Sequence, residues 1–119
     1  MYASHELGKR GEELAVQLLE EKGLKILARN WRSGRTELDI ICTDDQFLII
    51  VEVKTRSTER YGYASEAVGY KKTEDISRAA AVFQDKRNIP LEFRFDIVSV
   101  LFGANDFVRV EHIPAAFHP

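Results

Sequence analysis

The chain has a single cysteine, Cys42, among 119 residues. That excludes an internal disulfide framework and any zinc site built from several cysteines. No stretch is long and apolar enough to span a bilayer. The opening residues, Met1-Tyr2-Ala3-Ser4-His5-Glu6, lack the apolar run of a signal peptide. Charge of either sign is not in excess: 17 Lys and Arg stand against 19 Asp and Glu, for a net −2. Overall charge therefore does not advertise a polyanionic partner. Internal repeats, linkers and low-complexity tracts are also missing. What is present is 45% hydrophobic residues, enough for one compact domain over residues 1–119 with a real core. Cys42 lies in an apolar stretch and reads as a small buried thiol. These features together fit a cytoplasmic protein.

Periodicity gives the element order. Residues 5–22 read as a helix with an apolar stripe of Leu7, Gly11, Leu14, Ala15, Leu18 and Leu19. Ser4 suits its N-cap and Gly23 its stop. Residues 24–28 read as a short strand, and 29–35 as a basic loop containing Gly34. A hairpin then joins 36–43 to 46–55, with Asp44-Asp45 at its tip. Residues 57–63 form a polar and aromatic loop. A second helix spans about 70–84, with Ile76, Ala79, Ala80 and Phe83 at helical spacing, and Asn88-Ile89-Pro90 closes it. Strands at 93–102 and 107–113 flank the turn Gly103-Ala104-Asn105-Asp106. The order is α-β-β-β-α-β-β, an α/β fold with a mixed sheet flanked by helices.

The most informative stretch is Ile49-Ile50-Val51-Glu52-Val53-Lys54. A strand this apolar belongs in a core, yet it ends with a carboxylate and an ammonium on one face, because strand side chains alternate. Charged groups there need partners or a purpose. A two- or four-residue loop at Asp44-Asp45 pairs Thr43 with Gln46, Asp39 with Ile50 and Glu37 with Glu52. Asp39, Glu52 and Lys54 then share one side, with Leu38, Ile40, Val51 and Val53 on the other. A three-residue loop would reverse this. Two acids and a lysine suit metal-assisted phosphodiester hydrolysis. They also suit a partly buried ion-pair network, and the hairpin alone does not separate the two. In the first helix Glu12 shares a ridge with Gly8, Ala15 and Leu19, at the edge of the apolar stripe, and can aim at the same sheet end. Gly8 and Gly11 would let that helix approach closely.

Several stretches carry a resemblance. They are Gly8-Lys9-Arg10-Gly11-Glu12, Ala28-Arg29-Asn30-Trp31-Arg32, Glu37-Leu38-Asp39-Ile40-Ile41, Val51-Glu52-Val53-Lys54-Thr55-Arg56, Arg94-Phe95-Asp96-Ile97-Val98, His112-Ile113 and Ala116-Phe117. In this order, over nearly the whole chain, they resemble the YraN-like family of uncharacterised bacterial proteins. That family is similar to the PD-(D/E)xK nucleases and, among them, to archaeal Holliday-junction resolvases. The resemblance implies a restriction-endonuclease-like core. It places Glu12 as the helix acid, Asp39 and Glu52 as the metal-binding acids and Lys54 as the lysine. One departure is Thr36, where the family usually has Gly. The family has no assigned reaction, so likeness of fold does not settle activity.

On this reading Mg²⁺ or Mn²⁺ is the cofactor, held by Asp39 and Glu52 with help from Glu12, and Lys54 orients the attacking water. The partner is nucleic acid, most naturally DNA, branched or damaged. Arg29, Arg32, Arg35, Arg56 and Lys72 are the residues that would border its cleft, although scattered surface bases are ordinary in any one patch. Trp31, Tyr61, Tyr63 and Tyr70 could stack on bases, beside Arg60, or anchor loops. Glu37 reads as a rim residue or a partner of Arg35. Asp96 would pair with Arg94 or Arg109, while His5, His112 and His118 read as ordinary polar histidines. A symmetric homodimer would suit a two-strand cutter, but no exposed stripe demands one. Two further classes stay open: a non-catalytic nucleic-acid binder on a nuclease fold, and a protein-interaction domain.

Overall fold

A computed structural model describes residues 4–58 and 70–118, without the side chains of residues 4 and 70–72. The elements are α1 (Ser4–Glu21), β1 (Lys25–Ser33), β2 (Thr36–Thr43), β3 (Phe47–Ser57), α2 (Tyr70–Arg87), β4 (Glu92–Phe102) and β5 (Val108–Ile113). The order is the expected one. Among the described residues the strands form one sheet in the order β1-β2-β3-β4-β5. The β3–β4 pair is parallel and the others are antiparallel. The sheet is mixed because α2 carries the chain back between β3 and β4.

The helices end as their sequences dictate. At the end of α1, Gly23 takes φ 87°, its N–H donates to Glu20 O, and Leu24 N–H donates to Leu19 O. That is the paired bonding of a Schellman stop. Asn88 plays the glycine's part after α2, with φ 52° and Ile89 N–H donating to Gln84 O.

Two apolar cores lie on opposite faces of the sheet. Under α1, Ala15, Val16 and Leu19 pack with Ile40, Cys42, Ile49, Val51, Val98, Val100 and Phe102. Under α2, Ile76, Ala79, Ala80 and Phe83 pack with Leu38, Ile41, Leu48, Ile50 and Phe95. Gly11 does seat α1 closely: a Cβ there would collide with the Thr55 side chain. Gly8 does not, since nothing lies within 4 Å of where its Cβ would be.

Three expectations are corrected. β1 does not stop at residue 28. It runs on to Ser33 and pairs with β2 through a two-residue turn, Gly34-Arg35, with Gly34 at φ 60°. Its polar residues suit an edge strand, and Trp31 gives it an anchor, edge-on to Phe83 at 5.3 Å. Next, the β2–β3 register is Thr43 with Leu48 and Ile40 with Val51, two residues from the pairing expected. Four residues, Asp44 to Phe47, lie between the paired Thr43 and Leu48, and there Asp44 Oδ1 accepts N–H bonds from both Gln46 and Phe47. A slip of two keeps the faces. Finally, Leu38 joins the α2 core instead of lying beside Ile40. Alternation breaks at Asp39, level with Asn30 of β1, whose φ is 51°, so Leu38 and Ile41 face one helix and Ile40 and Cys42 the other.

Candidate functional site

The backbone ladder between β2 and β3 reaches Ile40–Val51. One step beyond, the register sets Asp39 opposite Glu52. Here the Asp39 carboxylate does what a main-chain carbonyl does elsewhere in the ladder: its Oδ2 accepts the Val53 N–H at 2.8 Å. The Asp39 carboxylate therefore sits against the backbone between Glu52 and Lys54. Glu52 is 5% exposed, and Lys54 is half-buried. Asp39, Glu52 and Lys54 are each engaged with neighbouring groups. Asp39 thus lies against the segment that carries Glu52 and Lys54, where two central strands part, next to a core.

The face is set by β3. Leu48 and Ile50 pack under α2, and Glu52, Lys54 and Arg56 continue that face by alternation. Parallel pairing sets Glu52 beside Ile97, Lys54 beside Ser99 and Arg56 beside Leu101. Glu12 belongs to α1, which packs on the opposite face, where Gly11 touches Thr55. Among the described residues no three acids, histidines or cysteines come together as a metal-ligand group, so Glu12 is not brought into one with Asp39 and Glu52. Two carboxylates nonetheless fit Mg²⁺ chemistry, since that ion takes one or two carboxylates and keeps several waters.

The basic residues are divided between the faces. Arg29 pairs across to Ile40 on the α1 side and binds Glu13 at 2.6 Å. Arg32 meets Glu37 at 3.5 Å across the strand pair, so Glu37 partners Arg32 and not Arg35. Arg35 is exposed in its turn. Arg56 donates to Ser99 Oγ at 3.0 Å on the other face. The side chain of Lys72, and those of Arg60, Tyr61, Tyr63 and Tyr70, lie outside the described residues.

One polar cluster was not anticipated as a unit. Asp96 is fully buried. It accepts two bonds from Arg94, at 2.9 and 2.8 Å, and one from Ala115 N–H at 2.9 Å. Arg94 is the partner, not Arg109. His112 Nε2 lies 2.8 Å from Asp96 Oδ2, and Lys22 Nζ lies 2.8 Å from His112 Nδ1. An ammonium only donates, so Nδ1 accepts and Nε2–H donates to Asp96. Burial raises the Asp96 pKa, but the bonds from Arg94, Ala115 and His112 outweigh it and hold the carboxyl below its usual range. The sequence did carry a signal: Arg94 and Asp96, two apart, share a face as Glu52 and Lys54 do. The closing contacts, from Lys22 and His112, come from distant segments.

Residues 11–100 match the family described as uncharacterised protein family UPF0102. A UPF0102 protein of Bacteroides thetaiotaomicron is 44% identical over 119 residues, covering 100% of this chain and 98% of the relative. One from Syntrophotalea carbinolica is 43% identical over 117 residues, covering 98% and 94%, and one from an Arthrobacter species is 41% identical over 114 residues, covering 95% and 97%. Similarity of this extent means that the chain belongs to the uncharacterised protein family UPF0102, the YraN-like family.

Proposed function

We propose that this protein is a divalent-metal-dependent nuclease with a restriction-endonuclease-like core, hydrolysing phosphodiester bonds in DNA. The observation that carries the reading is the Asp39 carboxylate seated on Val53 N–H, between Glu52 and Lys54. Main-chain pairing is given up there for a carboxylate bonded to the backbone of the residue next to Glu52. A structural ion pair does not need that arrangement, since Glu52 and Lys54 already share a face.

Asp39 and Glu52 would hold the ion, with the Val53 carbonyl at hand. Bound Mg²⁺ or Mn²⁺ supplies Lewis-acid polarisation of the phosphoryl oxygen and a more acidic water. Lys54 orients the attacking water by donating to it, and its positive charge offsets the negative charge that builds on the phosphoryl oxygens. The Ile50 and Leu48 side of the strand keeps these groups fixed in packed surroundings.

A second reading, a non-catalytic nucleic-acid binder on the same fold, is favoured by one observation: Glu12 is not gathered with the two acids. Glu52→Ala and Lys54→Ala separate the two. For a nuclease, both variants lose cleavage of branched and linear DNA by about 10²-fold or more with Mg²⁺ or Mn²⁺. Glu52→Ala also loses metal binding and Lys54→Ala retains it, because an ammonium is not a ligand, while metal-free DNA binding persists in both. Wild type that cleaves no substrate with either metal, together with variants destabilised by about 3–5 kcal/mol as a broken buried pair would be, would discard the catalytic reading.

A further inference from the structure

The face that carries Glu52 and Lys54 continues across three strands. Pairing aligns Lys54, Ser99 and Glu111 in one row, and Arg56, Leu101 and Arg109 in the next. The helix α2 packs mainly on β2 and β1, toward the opposite edge of this same face. Arg56, Ser99, Leu101, Arg109 and Glu111 line a depression of about 160 Å³, many times the ~10–15 Å³ that one water needs.

Its two arginines are not neutralised in place. Arg29, Arg32, Arg78 and Arg94 each have a carboxylate partner. Among the described residues Arg56 and Arg109 have none. Of the five guanidinium donors of Arg56, one is taken by Ser99 Oγ, and its Nε is buried without an acceptor. Two cations with spare donors in one concavity fit a planar or tetrahedral oxyanion, and a guanidinium fork fits phosphate in particular. The row of Arg56 lies about 6.6 Å beyond the row of Lys54 along the strand, the scale on which successive phosphates follow one another along a nucleic-acid strand.

We propose that this depression is a phosphate subsite, which takes the phosphodiester next to the one held at Glu52 and Lys54. Its placement relative to the scissile group rests on the nuclease reading; its preference for phosphate does not. Glu111 sets the character of the ligand. A carboxylate at the rim opposes a bare dianion and welcomes a donor beside the phosphate, such as a base amino group. The subsite therefore favours a strand over inorganic phosphate.

The test uses the full chain in EDTA, so that cleavage plays no part. A labelled oligodeoxycytidylate, whose bases carry an amino donor, and inorganic phosphate are titrated separately against wild type, Arg109→Gln and Glu111→Gln. Arg109 and Glu111 are exposed on β5, so both variants should fold. Arg56→Lys, which keeps the charge and loses the fork, is the fourth protein. Arg109→Gln should weaken oligonucleotide binding about fivefold or more and flatten the salt dependence by about 0.7 in slope. Glu111→Gln should tighten inorganic phosphate more than the oligonucleotide, narrowing the difference between them, and Arg56→Lys should weaken oligonucleotide binding without changing the slope. Amide shifts on titration should centre on Arg56, Ser99 and Arg109. Unchanged affinity and slope in both β5 variants would overturn the subsite. Inorganic phosphate binding as tightly as the oligonucleotide would overturn its assignment to a strand. A change in sedimentation of Arg109→Gln, with oligonucleotide affinity unmoved, would give the residue to a protein interface instead. Intact binding in a wild type that never cleaves would uphold the phosphate subsite while removing the nuclease.

Discussion

Asp96 shows how much one side chain can fix. Its carboxylate joins its strand neighbour Arg94, the last strand through His112, and the following turn through Ala115 N–H. Lys22, just beyond α1, extends the chain through His112. Removing the carboxylate leaves a half-buried guanidinium with only Asp44 at 3.7 Å and a buried imidazole without its acceptor, so Asp96→Ala should lose about 3 kcal/mol, a fall in melting temperature on the order of 10 °C. The pH dependence has a definite sign. The carboxyl of the folded state is held below its usual range, so its contribution is present above the unfolded value of about 3.9 and is lost as pH falls through the lower folded value. Melting curves between pH 7 and pH 2 should therefore show wild type losing stability below about pH 4. Asp96→Asn should start lower and fall less steeply there. Equal slopes for the two proteins would mean that Asp96 does not carry this acid sensitivity. Its neighbour Arg94 was legible from spacing alone. His112 was not, because the pairing of β4 with β5 that sets it beside Val98 is not written in either strand.

At the scale of elements, the two glycines of α1 look alike in the sequence and differ in the fold. Both weaken a helix relative to alanine by about 1 kcal/mol. At Gly8 a Cβ meets nothing within 4 Å, so Gly8→Ala should stabilise by up to that amount. At Gly11 a Cβ would collide with Thr55 Oγ1 and lie 3.2 Å from its Cβ, so Gly11→Ala should destabilise by about 1–3 kcal/mol despite the better propensity. The midpoint of urea unfolding distinguishes them, and Gly11→Ala with Thr55→Ala should recover much of the loss. A Gly11→Ala midpoint at or above wild type would show that α1 does not depend on that approach. The elements themselves were largely legible. Helical spacing found α1 and α2, and apolar runs found β2, β3 and β4. The β2–β3 register was not, since it rests on Asp44 bonding two amides and on Asp45 at φ 70°. The faces of Glu52 and Lys54 survived that error, whereas Asp39 reaches their segment through its bond from Val53 N–H and not through the alternation expected of β2. The length of β1 was lost for another reason: its polar residues look like a loop until the edge of a sheet gives them somewhere to face.

For the molecule as a whole, the consequence of two cores is cooperativity. Strands β2 and β3 supply both: Ile40, Cys42, Ile49 and Val51 to the α1 side, and Ile41, Leu48 and Ile50 to the α2 side. Neither core can be exposed without disturbing strands that the other needs, so the described residues should unfold in one transition. The basic residues were harder to place from sequence for the same reason. Which face Arg29 and Arg56 occupy depends on how β1 and β3 sit in a sheet buttressed on both sides, and the reversal at Asn30 and Asp39 cannot be seen in a linear pattern. Cys42 offers a direct measure of the cooperativity. The thiol is fully buried between α1 and the sheet. Burial first, and then the nearby Asp96 charge, push its pKa up to about 12, so the folded protein presents no thiolate at neutral pH. A water-soluble disulfide reagent can then modify it only from open states. Its rate relative to the denatured chain gives an opening free energy. If the two cores open together, that energy should equal the unfolding free energy from urea, and it should fall in parallel when Phe83→Ala, on the far side of the sheet, removes about 3–5 kcal/mol. A labelling energy far below the urea value and unmoved by Phe83→Ala would show that α1 lifts from the sheet alone. The α1 side would then be a separate, weaker unit, and Glu12 would be carried on a helix able to move relative to Asp39 and Glu52.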